Sequence, residues 1–195
     1  MSQLTVDPRT AALLVMDFQT AVVEMIAAEK DALVTRTADL VEGARKAGMR
    51  VIYVVVAFRA GYPEVSPKNQ SFAPIRESGR FTEGSSGTEV HARLAPKPGE
   101  AVVTKHRVSA FAGTDLEMVL RANGIDTLVL AGLATSGVVL STVRHAADAD
   151  YRLVIVEDCC GDRDAEVHRV LVEKVFPRQA TVVKAAELSS ALGTR

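Results

Sequence analysis

The chain has 195 residues, 48% of them hydrophobic, enough to fill one core with helices covering both faces of a sheet. Its 23 basic and 24 acidic side chains leave a formal net charge of −1, which excludes a global field that would draw nucleic acid or an anionic membrane. The opening MSQLTVDPRT lacks the basic start and apolar run of a signal peptide, and no segment reaches the ~18 apolar residues of a membrane span. Cys159 and Cys160 are adjacent and so cannot form an ordinary disulfide staple. These totals point to a cytoplasmic protein, one domain over 1–195, with a small-molecule partner, no nucleic acid and no membrane.

In chain order, AALLVMD (11–17) is a continuous apolar run ending in an acid, as expected of a strand buried on both faces, with Asp17 at its carboxyl end. Residues 31–47 set Leu33, Val34, Leu40, Val41 and Ala44 on one helical stripe, with Gly48 as a stop, and VIYVVVAF (51–58) reads as a second buried strand. From 59 to 99 the periodicity lapses into a proline-, glycine- and serine-rich excursion, expected to be a partly ordered lid or a subunit contact. AVVTK (101–105) predicts a short strand ending in Lys105. TDLEMVLRANG predicts a helix with a Thr114 N-cap and a Gly124 stop. DTLVLAGLATSG reads as a strand and a glycine-bearing turn, followed by a helix over roughly 138–149, a strand over 152–158, a helix over 164–176 and a last short strand over 180–184.

Such alternation predicts a three-layer α-β-α, Rossmann-like α/β fold with a mainly parallel sheet and right-handed crossovers. Ligands in such folds bind at the carboxyl ends of the strands. Asp17, Lys105 and the 132–146 segment all fall at that edge. An acid and a lysine sharing a cavity shift each other's proton affinity, which suits proton transfer. Each residue taken alone is equally compatible with a solvated strand end or a structural ion pair. Amides at the start of the helix after 132 are able to stabilise a developing oxyanion.

The set LLVMDFQ, VVTKHRVSAFAGTDL and LVLAGLATSGVVLSTVRHAADADYRL, in this order and spacing, resembles the isochorismatase-like, or cysteine hydrolase, superfamily. The resemblance implies a catalytic set of aspartate, lysine and cysteine, and assembly into homodimers or larger homo-oligomers. It assigns general acid/base work to Asp17 and an orienting, charge-balancing role to Lys105. It also places Gln19 and the Ala134, Thr135, Ser136 and Gly137 segment around the substrate, and it implies a cis peptide between Leu133 and Ala134.

One position departs from that pattern. Where the family's motif resembles T-S-G-C, this chain reads Thr135, Ser136, Gly137, Val138, and a valine side chain has neither a lone pair to attack with nor a proton to give. Four readings stay open: hydrolysis by acid-assisted addition of water, as in vinyl-ether cleavage; a relocated nucleophile among Ser136, Ser141, Thr142, Cys159 and Cys160; a catalytically silent small-molecule-binding relative; and an amidase-type enzyme whose nucleophile has been replaced. Arg59 has the chemistry to grip a carboxylate, and Phe58, Tyr62 and Phe111 to pack on a flat substrate, although each equally suits a surface or core role. The four histidines show no ligand spacing, and no glycine-rich phosphate loop is present, so neither a metal nor a cofactor is expected.

Overall fold

The computed structural model describes residues 4–25 and 29–193. Six strands form one sheet: β1 (Ala11–Met16), β2 (Arg50–Val56), β3 (Ala101–Lys105), β4 (Thr127–Leu133), β5 (Arg152–Gly161) and β6 (Thr181–Val183), in the spatial order β3-β2-β1-β4-β5-β6. Every neighbouring pair is parallel, so the sheet is wholly rather than mainly parallel. The chain moves outward from β1 through β2 to β3, then returns to lay β4 on the other side of β1. The order reverses between β1 and β4, and it is at the carboxyl ends of strands at such a reversal that open α/β sheets bind their ligands.

Alternation along β1 divides the core. Leu13 and Val15 face Leu33, Val34, Leu40 and Val41 of α2 (Lys30–Lys46) and Leu188 of α7 (Ala185–Gly193). Ala12, Leu14 and Met16 face the opposite layer, which contains Leu116 and Leu120 of α4 (Leu116–Ala122) and Val143 and Ala146 of α5 (Leu140–Asp148). A strand buried on both faces must read as an unbroken apolar run, which is why 11–16 carries no polar residue.

Several elements differ from their sequence expectation. The helix expected over 164–176 is α helix only as α6 (Ala165–Val170); it then widens into a π turn over Leu171–Val175 and ends in a 3-10 turn at Phe176–Arg178. Pro177 explains the ending, since it lacks an N–H and crowds the residue before it. A second π turn, Thr135–Val139, precedes α5 where the sequence suggested a helix from 138. Helix α4 begins at Leu116 with Asp115 at the N-cap, while the Thr114 hydroxyl donates to the Ala110 carbonyl and accepts from the Leu116 amide. Three α helices were not foreseen: the single turn α1 (Thr20–Val23), α3 (Ala73–Ser78) within the excursion, and α7, whose small-residue sequence gives a weak apolar stripe.

The 59–99 excursion is ordered and packed. Phe58, Tyr62, Val65, Phe72 and Phe81 form a third apolar cluster with Val56, and α3 (Ala73–Ser78) flanks it. Phe58 pairs with Thr82, donating its amide to the Phe81 carbonyl and accepting from the Glu83 amide, and the Tyr62 hydroxyl donates to the Arg80 carbonyl. The segment is therefore stitched to the carboxyl end of β2.

Close approach at the β1–β4 crossing depends on one glycine. A Cβ on Gly132 would meet the Val139 Cγ2 at 3.0 Å, the Met16 Cβ at 3.1 Å and the Met16 carbonyl oxygen at 3.2 Å. Gly132→Ala should lower unfolding stability by about 1–3 kcal/mol through overpacking, read as a shifted urea midpoint at unchanged slope. A loss within measurement error would show that the crossing has slack.

Candidate active site

Asp17 is the residue at which β1 leaves the sheet. Its φ of 57° is left-handed, a conformation aspartate tolerates better than most side chains, and its amide donates to the Val54 carbonyl at 2.8 Å. Lys105, the last residue of β3, reaches back across β2: its Nζ lies 2.8 Å from Asp17 Oδ2 and donates to the Arg107 carbonyl at 3.2 Å. Both side chains are almost wholly buried. Burial pushes the Asp17 carboxyl above the ordinary carboxylate range, and the adjacent Lys105 ammonium opposes that rise. Asp17 Oδ1 is buried and has no hydrogen-bond partner, so one oxygen is held by the lysine while the lone pairs of the other are unsatisfied.

The third wall is the turn after β4. The Leu133–Ala134 peptide is cis, and Val138 is buried in the same apolar cluster as Ala110, Phe111, Val139 and Val143. Val139 and Gly132 meet Met16 just before Asp17, and Gly137 lies beside Val108 of the segment after Lys105. Three amides of this turn are already committed: Ser136 donates to Asp162 Oδ2 at 2.7 Å, and Gly137 and Val139 both donate to the Ala134 carbonyl. The oxyanion role expected of this turn's amides is thereby narrowed to those not so engaged. The Thr135 hydroxyl pairs with His168 Nδ1 at 2.8 Å, and burial holds that imidazole below its usual proton affinity.

Other expected substrate contacts have protein partners. Gln19 is fully buried, and its side-chain amide donates to the Val56 and Thr88 carbonyls while its carbonyl accepts from the Val56 amide, which makes it a brace for β2. Phe58 and Tyr62 belong to the cluster under the excursion. Phe111 stacks on His145, with ring centroids 4.4 Å apart and an interplanar angle of 5°. Arg59 is exposed and approaches Glu64 Oε1 at 3.2 Å.

The relocated-nucleophile candidates are similarly occupied. The Ser141 hydroxyl donates to the Gly137 carbonyl and the Thr142 hydroxyl accepts from the Ala110 amide. Cys159 and Cys160 lie on opposite faces of the sheet; burial pushes the first thiol up to about 12 and the second still higher, away from the thiolate form a nucleophile needs. Ser136 is exposed, with its amide tied to Asp162. Asp162 and His168, which fix the turn, were missed as site-forming residues. Their one signal was that 162–168 follows β5 at the same sheet edge.

A six-stranded parallel sheet with a buried aspartate–lysine pair at its switch point defines a three-layer α/β protein whose polar site lies at the strand carboxyl ends. The chain belongs to the isochorismatase family of hydrolases, with residues 11–187 matching the isochorismatase domain. It is 34% identical over 191 residues to the uncharacterized isochorismatase family protein YecD of Escherichia coli O157:H7, covering 97% of this chain and all of that one. It is 30% identical over 179 residues to the maleamate amidohydrolase of Pseudomonas putida, covering 90% of this chain and 83% of the other. Among solved structures, an isochorismatase family protein from Burkholderia thailandensis superposes with a TM-score of 0.87 at 29% identity, covering 99% of this chain and all of that one. Among the described residues, no helix is long and apolar enough to cross a membrane, and no group of three or more His, Cys, Asp or Glu side chains is arranged to hold a metal ion.

The pair's burial makes its energetics measurable. In Lys105→Met the Asp17 carboxyl is left without its cation, so the folded state binds a proton more tightly than the unfolded chain does. Stability relative to wild type should then fall as pH rises from the unfolded aspartate value of about 4 towards neutrality, reaching a deficit of about 3–5 kcal/mol. Urea melts at acid and neutral pH check this; a deficit independent of pH would show that the carboxylate finds another partner.

Proposed function

We propose that this single-domain protein hydrolyses a small metabolite by acid-assisted addition of water, with Asp17 as the proton carrier, Lys105 as its orienting cation and no covalent nucleophile. The observation that carries the reading is the asymmetry of Asp17: Oδ2 is fixed by Lys105, Oδ1 is buried and unpartnered, and burial raises the carboxyl's proton affinity. A carboxyl so placed keeps a proton to a higher pH than a solvated one, as a general acid requires.

For a vinyl ether the steps balance without further reagents. The Asp17 proton passes to the terminal carbon of the double bond, leaving an oxocarbenium ion beside the new carboxylate. Water adds to the cationic carbon and returns a proton to Asp17, and the hemiketal collapses to a carbonyl compound and an alcohol. Val138 takes no part except to exclude water from the wall it occupies. Residues 134–137 and Arg59 border the substrate in this reading. The enzyme acts in the cytoplasm as a homodimer or larger homo-oligomer.

A second reading is favoured by one finding, the likeness to the P. putida maleamate amidohydrolase. On that reading the scaffold is an amidase that lacks its thiol at 138 and either binds without turnover or has lost activity. Product formation on a panel containing isochorismate, small amides and ureides separates the two. Turnover by the unaltered protein, lost in Asp17→Asn while ligand binding persists, is expected of the acid mechanism. Turnover gained only in Val138→Cys would replace it with the amidase reading.

The pH profile supplies an independent check. Because the active form is protonated Asp17, kcat/KM should be level at low pH and fall as pH rises through the elevated value, with the falling limb absent from whatever residual rate Asp17→Asn retains. A rate that increases over that range would mean Asp17 acts first as a base.

A further inference from the structure

Among the described residues, three buried side-chain oxygens lack a hydrogen-bond partner. One is Asp17 Oδ1; the other two are both oxygens of Glu64, on the excursion after β2. Leaving a carboxylate in this condition is costly, and a group kept so at a cavity is a group awaiting a ligand. Glu64 lines a cavity of about 470 Å³ together with His106, Arg107, Ala112 and Gly113. The cavity lies next to the reacting pair in the chain's contacts, because Arg107, one of its lining residues, offers the carbonyl that Lys105 Nζ donates to.

We propose that Glu64 anchors the non-reacting end of the substrate by accepting hydrogen bonds from a neutral N–H-donating group, such as a urea or primary carboxamide. This deepens the hydrolase reading and rests on it for the word substrate, although the binding itself does not. The choice of a neutral donor over a cation follows from the charges present. Arg59 Nη1 stands 3.2 Å from Glu64 Oε1, and Arg107 lines the same cavity. Positive charge is therefore already supplied, while hydrogen bonds are not. His106, also on the wall, donates its Nδ1 hydrogen to the Ala57 carbonyl at 2.6 Å, which fixes how the ring stands there. Paired N–H groups of a urea match two carboxylate oxygens in the way a guanidinium does, without adding a third positive charge.

Arg59, with its side chain 66% exposed, stays beside Glu64 as its counter-charge. It approaches Glu64 at ion-pair distance without making a hydrogen bond, so it supplies charge while leaving both carboxylate oxygens able to accept from a ligand.

Ligand-observed NMR with butylurea, butylammonium and butyrate as probes tests the assignment. The wild-type chain should bind butylurea in preference to both ions. Glu64→Met, which fills the same space without acceptors, should weaken butylurea by about tenfold or more, the scale of a hydrogen bond to a charged group, while leaving the melting temperature unchanged or higher. If the methionine variant does not fold, Glu64→Gln carries the test, with an intermediate loss expected because one acceptor remains. Unchanged butylurea binding in either folded variant, or a wild-type preference for butylammonium, overturns the proposal. Asp17→Asn should bind butylurea as wild type does, so failure of the acid mechanism and failure of the Glu64 anchor register in different variants.

Discussion

The contact on which the rest of the site depends is the buried ion pair between Lys105 and Asp17. Two opposite charges removed from water are retained only where geometry and additional hydrogen bonds compensate their lost hydration. Here the compensation comes from the sheet itself. β1 and β3 flank β2, so a lysine ending one and an aspartate leaving the other meet across it at 2.8 Å. The left-handed turn at Asp17 then directs the chain away from the sheet, and the lysine's remaining reach is taken up by the Arg107 carbonyl. The pair thus sets the paths of the segments following two strands.

Much of this was legible before any coordinates. Apolar runs at 11–16, 51–56 and 127–133 could only be strands covered on both faces, and their alternation with amphipathic stretches made a parallel sheet the economical arrangement. The acid and the lysine at strand ends followed from the same reading. What stayed hidden was anything set by tertiary geometry. Nothing in the LVEKV sequence of 171–175 distinguishes a π turn from an α turn, and residues 185–193 are too rich in alanine and serine to announce a buried face.

The residues in and against the excursion were the hardest to read. Tyr62 and Phe58 look like substrate-facing aromatics in a glycine-rich stretch, yet they form the core of their own small cluster. Gln19 has the chemistry of a ligand contact and instead spends every polar atom on backbone. In both cases the deciding fact was which unpaired backbone groups the fold had to satisfy, and that is known only once strands and loops are in place. The same accounting isolates Asp17 Oδ1 and the Glu64 carboxylate as the groups left over.

Gln19 carries a consequence for how this scaffold diversifies. Its single side chain joins the end of β2 at Val56 to the excursion at Thr88, two residues beyond Asp17 in sequence. The excursion is therefore not a freely exchangeable loop: a replacement must return the chain to Thr88 in register as well as rebuild the cluster around Phe58. Variation in pocket shape is thus limited by a return point that a side chain two residues beyond the aspartate holds in place.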